Sequence, residues 1–305
     1  MAQALDFLVA GFPKCGTTSM RVLMEMHDEV NVLHKYRKKS NGKEKEVEYF
    51  LKLGKNFYLD DLAEDLRENS VIGKKNGIKW PLAVANDNVE SISKLQDYNP
   101  EGHHTKIIIG MRHPVRWFES FYNFRVLLNR DMEEHPDPYS MIGDISNHWQ
   151  GVYTDLARWE LSLMQLGKWD LSPTDIKELA ANGNEIISTP YPVFLYDVDQ
   201  MADPDDDRAA SFRQDLSDFL DLKETFQAVP HGNDHHDSNF KDKIDICDSH
   251  YDGLRHHIVS HGKETADWLT RKLDIKSDVV IGGKDHFRDL IQKWGEDPCE
   301  ATTLF

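Results

Sequence analysis

The 305-residue sequence predicts an α/β fold: a central, mostly parallel sheet flanked by helices. Short apolar runs bounded by turn residues recur along the chain. They are continuous rather than alternating, as strands are when helices cover both faces of a parallel sheet. Between them, apolar residues recur at three- and four-residue spacing, the period of amphipathic helices. Composition permits a large core, since 39% of residues are apolar and seven are Trp.

In order along the chain, the first strand is expected over residues 6–10 and the first helix over 17–27, where Met20, Leu23, Met24 and His27 share a face. Further strands are expected over 71–73 and 106–111. Pro114, a residue favoured in a first helical turn, introduces a helix over 115–130. Residues 152–166 place Val152, Leu156, Trp159, Leu163 and Leu166 in one stripe. A strand over 192–196 follows, then a helix over about 212–220 and two more near 250–260 and 264–272. Strands alternating with helices imply βαβ units. No repeat or low-complexity linker divides the chain, so one domain is expected over 1–305, with 169–188 as a surface insertion. The acidic turn Asp203-Pro-Asp-Asp-Asp207 lacks the spacing and glycine of a calcium loop.

Lys and Arg total 36 against 53 Asp and Glu, a net charge of −17, which argues against a general nucleic-acid or anionic-membrane binder. Cys15, Cys247 and Cys299 are too few for a disulfide scaffold. A Cys247–Cys299 bond fits the count, while a reduced compartment is the simpler reading. No run reaches the roughly 18–20 apolar residues of a membrane span. The first residues carry Asp6 and no positive leader, so a soluble, cytoplasmic chain is expected. Histidines 231, 235, 236, 250, 256, 257 and 261 form no recognised ligand pattern, and no metal is expected.

Chemistry concentrates in Gly11-Phe-Pro-Lys-Cys-Gly-Thr-Thr18, between the first strand and the first helix. A strand–loop–helix turn aims backbone N–H groups and the positive helix end at one spot, which makes an anion site. Gly11 and Gly16 keep the glycine spacing of a Walker loop, but Thr17 stands where its lysine belongs, and the loop lysine is Lys14. No acidic residue after a strand stands out as a Mg²⁺ ligand, which an ATP-using kinase would need.

Pro13-Lys-x-Gly-Thr-Thr18 resembles the 5′-phosphosulfate loop of sulfotransferases that use 3′-phosphoadenosine 5′-phosphosulfate (PAPS). The resemblance implies a P-loop-like sulfotransferase architecture, with Lys14, Gly16, Thr17, Thr18 and Ser19 around the 5′-phosphate and sulfonyl group. Arg112-His-Pro-Val-Arg-Trp-Phe-Glu-Ser120 is similar to the family's second motif, which implies that Arg112 and Ser120 bind the 3′-phosphate. Arg116 fits that pattern too, as ligand or as surface charge. Lys45-Glu-Val-Glu-Tyr-Phe50 resembles a segment of glycosaminoglycan-type sulfotransferases and implies Glu46 as the general base, with Glu48 and His34 as rivals. Residues 36–42 look like an insertion before it. Gly77-Ile-Lys-Trp-Pro81 is similar to the segment whose lysine faces the sulfonyl group, implying Lys79. In the helix from Gly151, Tyr153 and Arg158 are free to reach an acceptor, and the basic run Lys35, Arg37, Lys38, Lys39, Lys43 and Lys45 could attract an anion.

The activity so implied moves the sulfonyl group of PAPS in line to a hydroxyl or amine of a carbohydrate or small metabolite, without a metal. Family members of this type often work in the Golgi, so the chain reads as a soluble enzyme or as the catalytic part of such a protein. The competing readings are a P-loop kinase using ATP and Mg²⁺, and a nucleotide-binding protein without turnover.

Overall fold

The computed structural model describes residues 4–10, 14–33, 36–38, 44–46, 59–80, 99–100, 102–128, 137–141, 191–228, 243–273 and 279–300. Its strands are β1 (Phe7–Val9), β2 (Val30–Val32), β3 (Tyr36–Lys38), β4 (Glu44–Glu46), β5 (Lys75–Lys79), β6 (Lys106–Met111), β7 (Val193–Asp197) and β8 (Val279–Ile281). Its α-helices are α1 (Thr17–Glu25), α2 (Leu59–Asn69), α3 (Pro114–Leu128), α4 (Asp206–Phe219), α5 (Asp252–Leu273) and α6 (Lys284–Gln292).

The main sheet has the order β2-β5-β1-β6-β7-β8, and every pairing in it is parallel. This is the expected α/β class. Strand side chains alternate between two apolar layers, which is why the strands read as continuous apolar runs. Leu8, Ile107, Ile109, Val193 and Leu195 join residues of α2, α3, α5 and α6 on one face. Phe7, Val9, Ile108, Phe194 and Tyr196 join Met20, Leu23 and Met24 of α1 and Phe212, Leu216 and Phe219 of α4 on the other.

Several boundaries differ from the sequence-based expectation for local reasons. Residues 71–73 form a turn, with Ile72 91% exposed, and the strand begins at Lys75. Buried Asn76 organises that turn: its Oδ1 accepts from Val71 N at 2.8 Å, and its Nδ2 donates to the carbonyls of Lys74 and Val71. The fourth helix starts at Asp206, six residues early, because Asp205 caps it and Asp206 and Asp207 suit the positive end of its dipole. The two helices expected near 250–260 and 264–272 are one. Gly262, in the gap between the two expected helices, lets α5 pass the Trp294 carbonyl, which a Cβ would meet at 2.6 Å.

The segment read as an insertion contains β3, which pairs antiparallel with β4 and sets Tyr36 opposite Glu46. The reduced-cysteine expectation is also corrected. Cys247 and Cys299 form a disulfide, because segments 52 residues apart in sequence lie side by side. Cys15 is buried and lies outside the disulfide. Among the described residues, no helix is long and apolar enough to cross a membrane. The expected helix over 152–166 and the expected insertion at 169–188 lie outside the described residues.

Candidate functional site

From β1 the chain turns through α1 to β2 on one side, and it later enters β6 on the other side of β1. That reversal makes the carboxyl ends of β1 and β6 a topological switch point, where open α/β sheets bind ligands. Val9 of β1 pairs with Lys79 of β5 and with Ile108 of β6, while Met111 of β6 pairs with Asp197 of β7. Lys79, the loop after β1, Arg112 and Asp197 therefore share one edge of the sheet.

The loop reaches α1 through two left-handed residues, Lys14 at φ 68° and Gly16 at φ 73°. Gly16 occupies the N-cap position, and Thr17 N, Thr18 N and Ser19 N have no intrahelical acceptor, so an anion can take the place of a capping side chain. Thr17 is buried, whereas Thr18 and Ser19 are exposed. The loop is seated on the sheet from below. Tyr196 Oη donates to the Cys15 carbonyl at 3.3 Å, and Gly110 leaves room for that carbonyl, which a Cβ there would meet at 2.3 Å.

Arg112 follows β6 directly, and its Nη1 donates to the Lys14 carbonyl at 3.4 Å. Lys14 Nζ lies 4.7 Å from the centroid of the half-exposed Phe124 ring on α3. Burial, and then the adjacent Arg112 guanidinium, holds the Lys14 ammonium below the ordinary lysine range. Among the described residues, no carboxylate forms an ion pair with Lys14 or Arg112. Two neighbouring cations, Lys14 partly desolvated and Arg112 within the field of the buried Asp197 carboxyl but not ion-paired with it, are suited to a multiply charged anion.

The sequence reading missed Asp197, an acid that does follow a strand. It is almost wholly buried, and desolvation raises its carboxyl to about 7. Its Oδ1 accepts from Asp199 N at 3.0 Å, and Trp294 donates to the same carboxylate. Gln200 completes a capping box through Asp197 N. A carboxylate so enclosed serves the fold of the sheet edge; it is not presented as a Mg²⁺ ligand of the kind a kinase uses. An acid closing the apolar run 192–196 was its sequence signal. Among the described residues there is no group of three or more metal-ligating side chains.

Helix α3 begins at Pro114, with His113 as its cap. Val115 N donates to His113 Nδ1 at 3.3 Å, and Nε2 donates to the carbonyls of Lys293 at 3.0 Å and Glu296 at 3.2 Å. One tautomer, protonated on Nε2, satisfies all three bonds. Burial lowers this imidazole's pKa, which agrees with the neutral form. Ser120 lies two turns along α3 and is half-buried. Arg116 points away from the Lys14 loop: Nη1 approaches Cys247 Sγ at 3.5 Å, Nη2 donates to the Pro298 carbonyl at 3.4 Å, and Glu119 lies within 3.7 Å.

The structure thus gathers Lys14, Gly16, Thr17 and Arg112, and it puts Lys79 on the neighbouring strand end. Glu46 closes β4 of the separate two-stranded sheet. The rival bases His34 and Glu48, the acceptor-side Tyr153 and Arg158, and Lys35, Lys39 and Lys43 of the basic run lie outside the described residues, as do Gly11 to Pro13 of the loop.

No family model matches the sequence, and no curated protein matches it. Among solved structures, the chain is similar to a crystal structure of a sulfotransferase from Alicyclobacillus acidocaldarius. The TM-score is 0.48 and the identity 14%, over 89% of this chain and 95% of that one.

Proposed function

We propose that the protein is a PAPS-dependent sulfotransferase acting on a hydroxyl or amine of a carbohydrate or small-metabolite acceptor. The observation that carries this reading is the meeting of Lys14 and Arg112 at the switch point, where Arg112 Nη1 donates to the Lys14 carbonyl at 3.4 Å and, among the described residues, no carboxylate is ion-paired with either cation. The two sequence motifs that resemble the family's phosphate anchors supply these two cations.

In this reading PAPS supplies an activated sulfonyl group. The start of α1 and the Thr17, Thr18 and Ser19 hydroxyls bind its 5′-phosphate side, while Arg112 and Ser120 bind the 3′-phosphate. Lys14 neutralises the charge that grows on the departing phosphate oxygen. Lys79 orients the sulfonyl oxygens, and Glu46 takes the acceptor proton.

A thermal-shift titration tests it. Adenosine 3′,5′-bisphosphate without Mg²⁺ is expected to raise Tm, at a hundred times its Kd by about 2.7 kcal/mol of stability, whereas ATP gives little. Lys14→Met is expected to abolish both transfer and the bisphosphate shift. Glu46→Gln should lower turnover by about a hundredfold or more with the bisphosphate shift intact. Stabilisation by ATP with Mg²⁺ and none by the bisphosphate would instead identify a kinase-type site.

A further inference from the structure

We infer that Arg116 is a positioning residue that transmits the state of the Cys247–Cys299 bond to the Arg112 anchor, so that anion binding at the sheet edge depends on whether that disulfide is closed. The inference rests on the reading of Arg112 as a phosphate ligand.

Two remote segments form a strap over the start of α3. Residues 244–247 run along the helix: Asn123 exchanges both of its amide bonds with Ile244, Glu119 Oε1 accepts from Ile246 N at 3.2 Å, and Arg116 meets Cys247 Sγ. These three side chains, at 116, 119 and 123, lie on one helix face. Residues 293–299 cover the helix start, where His113 donates to the carbonyls of Lys293 and Glu296 and Arg116 donates to that of Pro298. Arg116 therefore bonds both sides of the disulfide, with one nitrogen at Cys247 and the other at the residue before Cys299. Four residues before it stands Arg112.

The two halves of the strap are joined by the disulfide and by buried Arg255, which bonds the carbonyls of Ile246 and Asp248 on one side and Asp297 on the other. Arg255 alone gives a joint that can open and close. The disulfide makes it permanent across 52 residues.

Cys247 is the more exposed of the two cysteines and so the point of attack for a dithiol. A reductant thiolate displaces the Cys299 thiolate, which takes up a proton. The second thiol of the reductant then displaces Cys247 and leaves as a cyclic disulfide. Two electrons and one proton pass to the chain, the second dithiol proton goes to solvent because Cys247 leaves as a thiolate, and a disulfide oxidant reverses the exchange. The freed Cys247 thiolate forms beside the Arg116 guanidinium and pairs with it. Arg116 then gives up the Pro298 carbonyl, the strap separates, and the first turn of α3, with Arg112 before it, loses its outer support.

Hydrogen exchange and bisphosphate calorimetry on the full chain, with and without dithiothreitol, test the coupling. Closed wild type is expected to bind adenosine 3′,5′-bisphosphate about fivefold or more tightly than reduced wild type. Reduction should speed amide exchange at residues 115–118 while β1 and β7 stay protected. Cys247→Ser with Cys299→Ser should match reduced wild type whether or not dithiol is present. Arg116→Met should show the weaker affinity and ignore dithiol, and Arg116→Lys should recover part of the response. Equal exchange at 115–118 in both redox states overturns the inference even if no form binds the bisphosphate, an outcome that by itself would defeat only the cofactor reading. Loss of protection throughout β1 and β7 on reduction also overturns it, because the bond would then serve stability alone.

Discussion

Asp197 sits where the backbone of β7 must end and the next turn begin. Its carboxylate anchors that turn at the cost of being taken out of water. The sign of its effect on stability follows from its raised pKa. At about 7 in the folded chain, it binds a proton over a range in which the unfolded chain, with an ordinary value near 3.8, has lost it. Stability supplied by this group is full at low pH and falls as pH rises from about 4 to about 7, at up to about 1.4 kcal/mol per pH unit. Arg112 opposes that shift and Asp199 adds to it, so a bound anion that draws on Arg112 raises the pKa further. Asp197→Asn is expected to flatten the slope of Tm between pH 4 and 7, whatever its absolute Tm, in a scanning-calorimetry series. A slope unchanged from wild type would assign the proton to another group.

At the level of elements, the site depends on how closely the Lys14 loop lies on the strands beneath it. Gly110 pairs with Tyr196 across β6 and β7, and these two residues receive the Cys15 carbonyl between Lys14 and Gly16. Gly110→Ala puts a methyl 2.3 Å from that carbonyl and 2.6 Å from Tyr196 Oη, so the loop must lift. The expected result is a loss of about 1–3 kcal/mol in urea unfolding, together with a weaker bisphosphate shift. Gly73→Ala is the control. Its Cβ meets nothing within 4 Å, and although its φ of 86° brings strain, the bisphosphate shift should stay as in wild type. The elements that could be read from sequence are those whose signal is local. Strand Lys106–Met111 was expected at its observed bounds because an unbroken apolar run of that length has one comfortable home between two helical layers. The loop lysine and Arg112 could be read for the same reason, each being part of a short motif at a strand–helix junction. β2 and β8, three residues each, carry too few letters to show a period. Asn76 turned an apolar triplet into an exposed turn through its side-chain bonds. The strap over α3 is built from residues over a hundred positions from the helix they hold, and no window of sequence contains both.

Over the whole molecule, the net charge of −17 and the cation pair at the switch point act in opposite directions, and salt separates them. Self-repulsion among excess carboxylates destabilises the folded chain and is screened by salt. Raising NaCl from about 0.05 to about 0.5 M shortens the screening length from about 14 Å to about 4 Å. The Tm of the ligand-free protein should therefore rise, by about 2 °C or more for a gain near 1 kcal/mol. The attraction of Lys14 and Arg112 for a bisphosphate is screened by the same ions, so the ligand-induced shift should shrink over the same range. The two trends must cross in sign if the anion site is a local exception on an acidic molecule. A ligand shift that grows with salt would mean that repulsion from the bulk of the chain outweighs the two cations, and the bound anion would then have to be held chiefly by the uncharged donors at the start of α1.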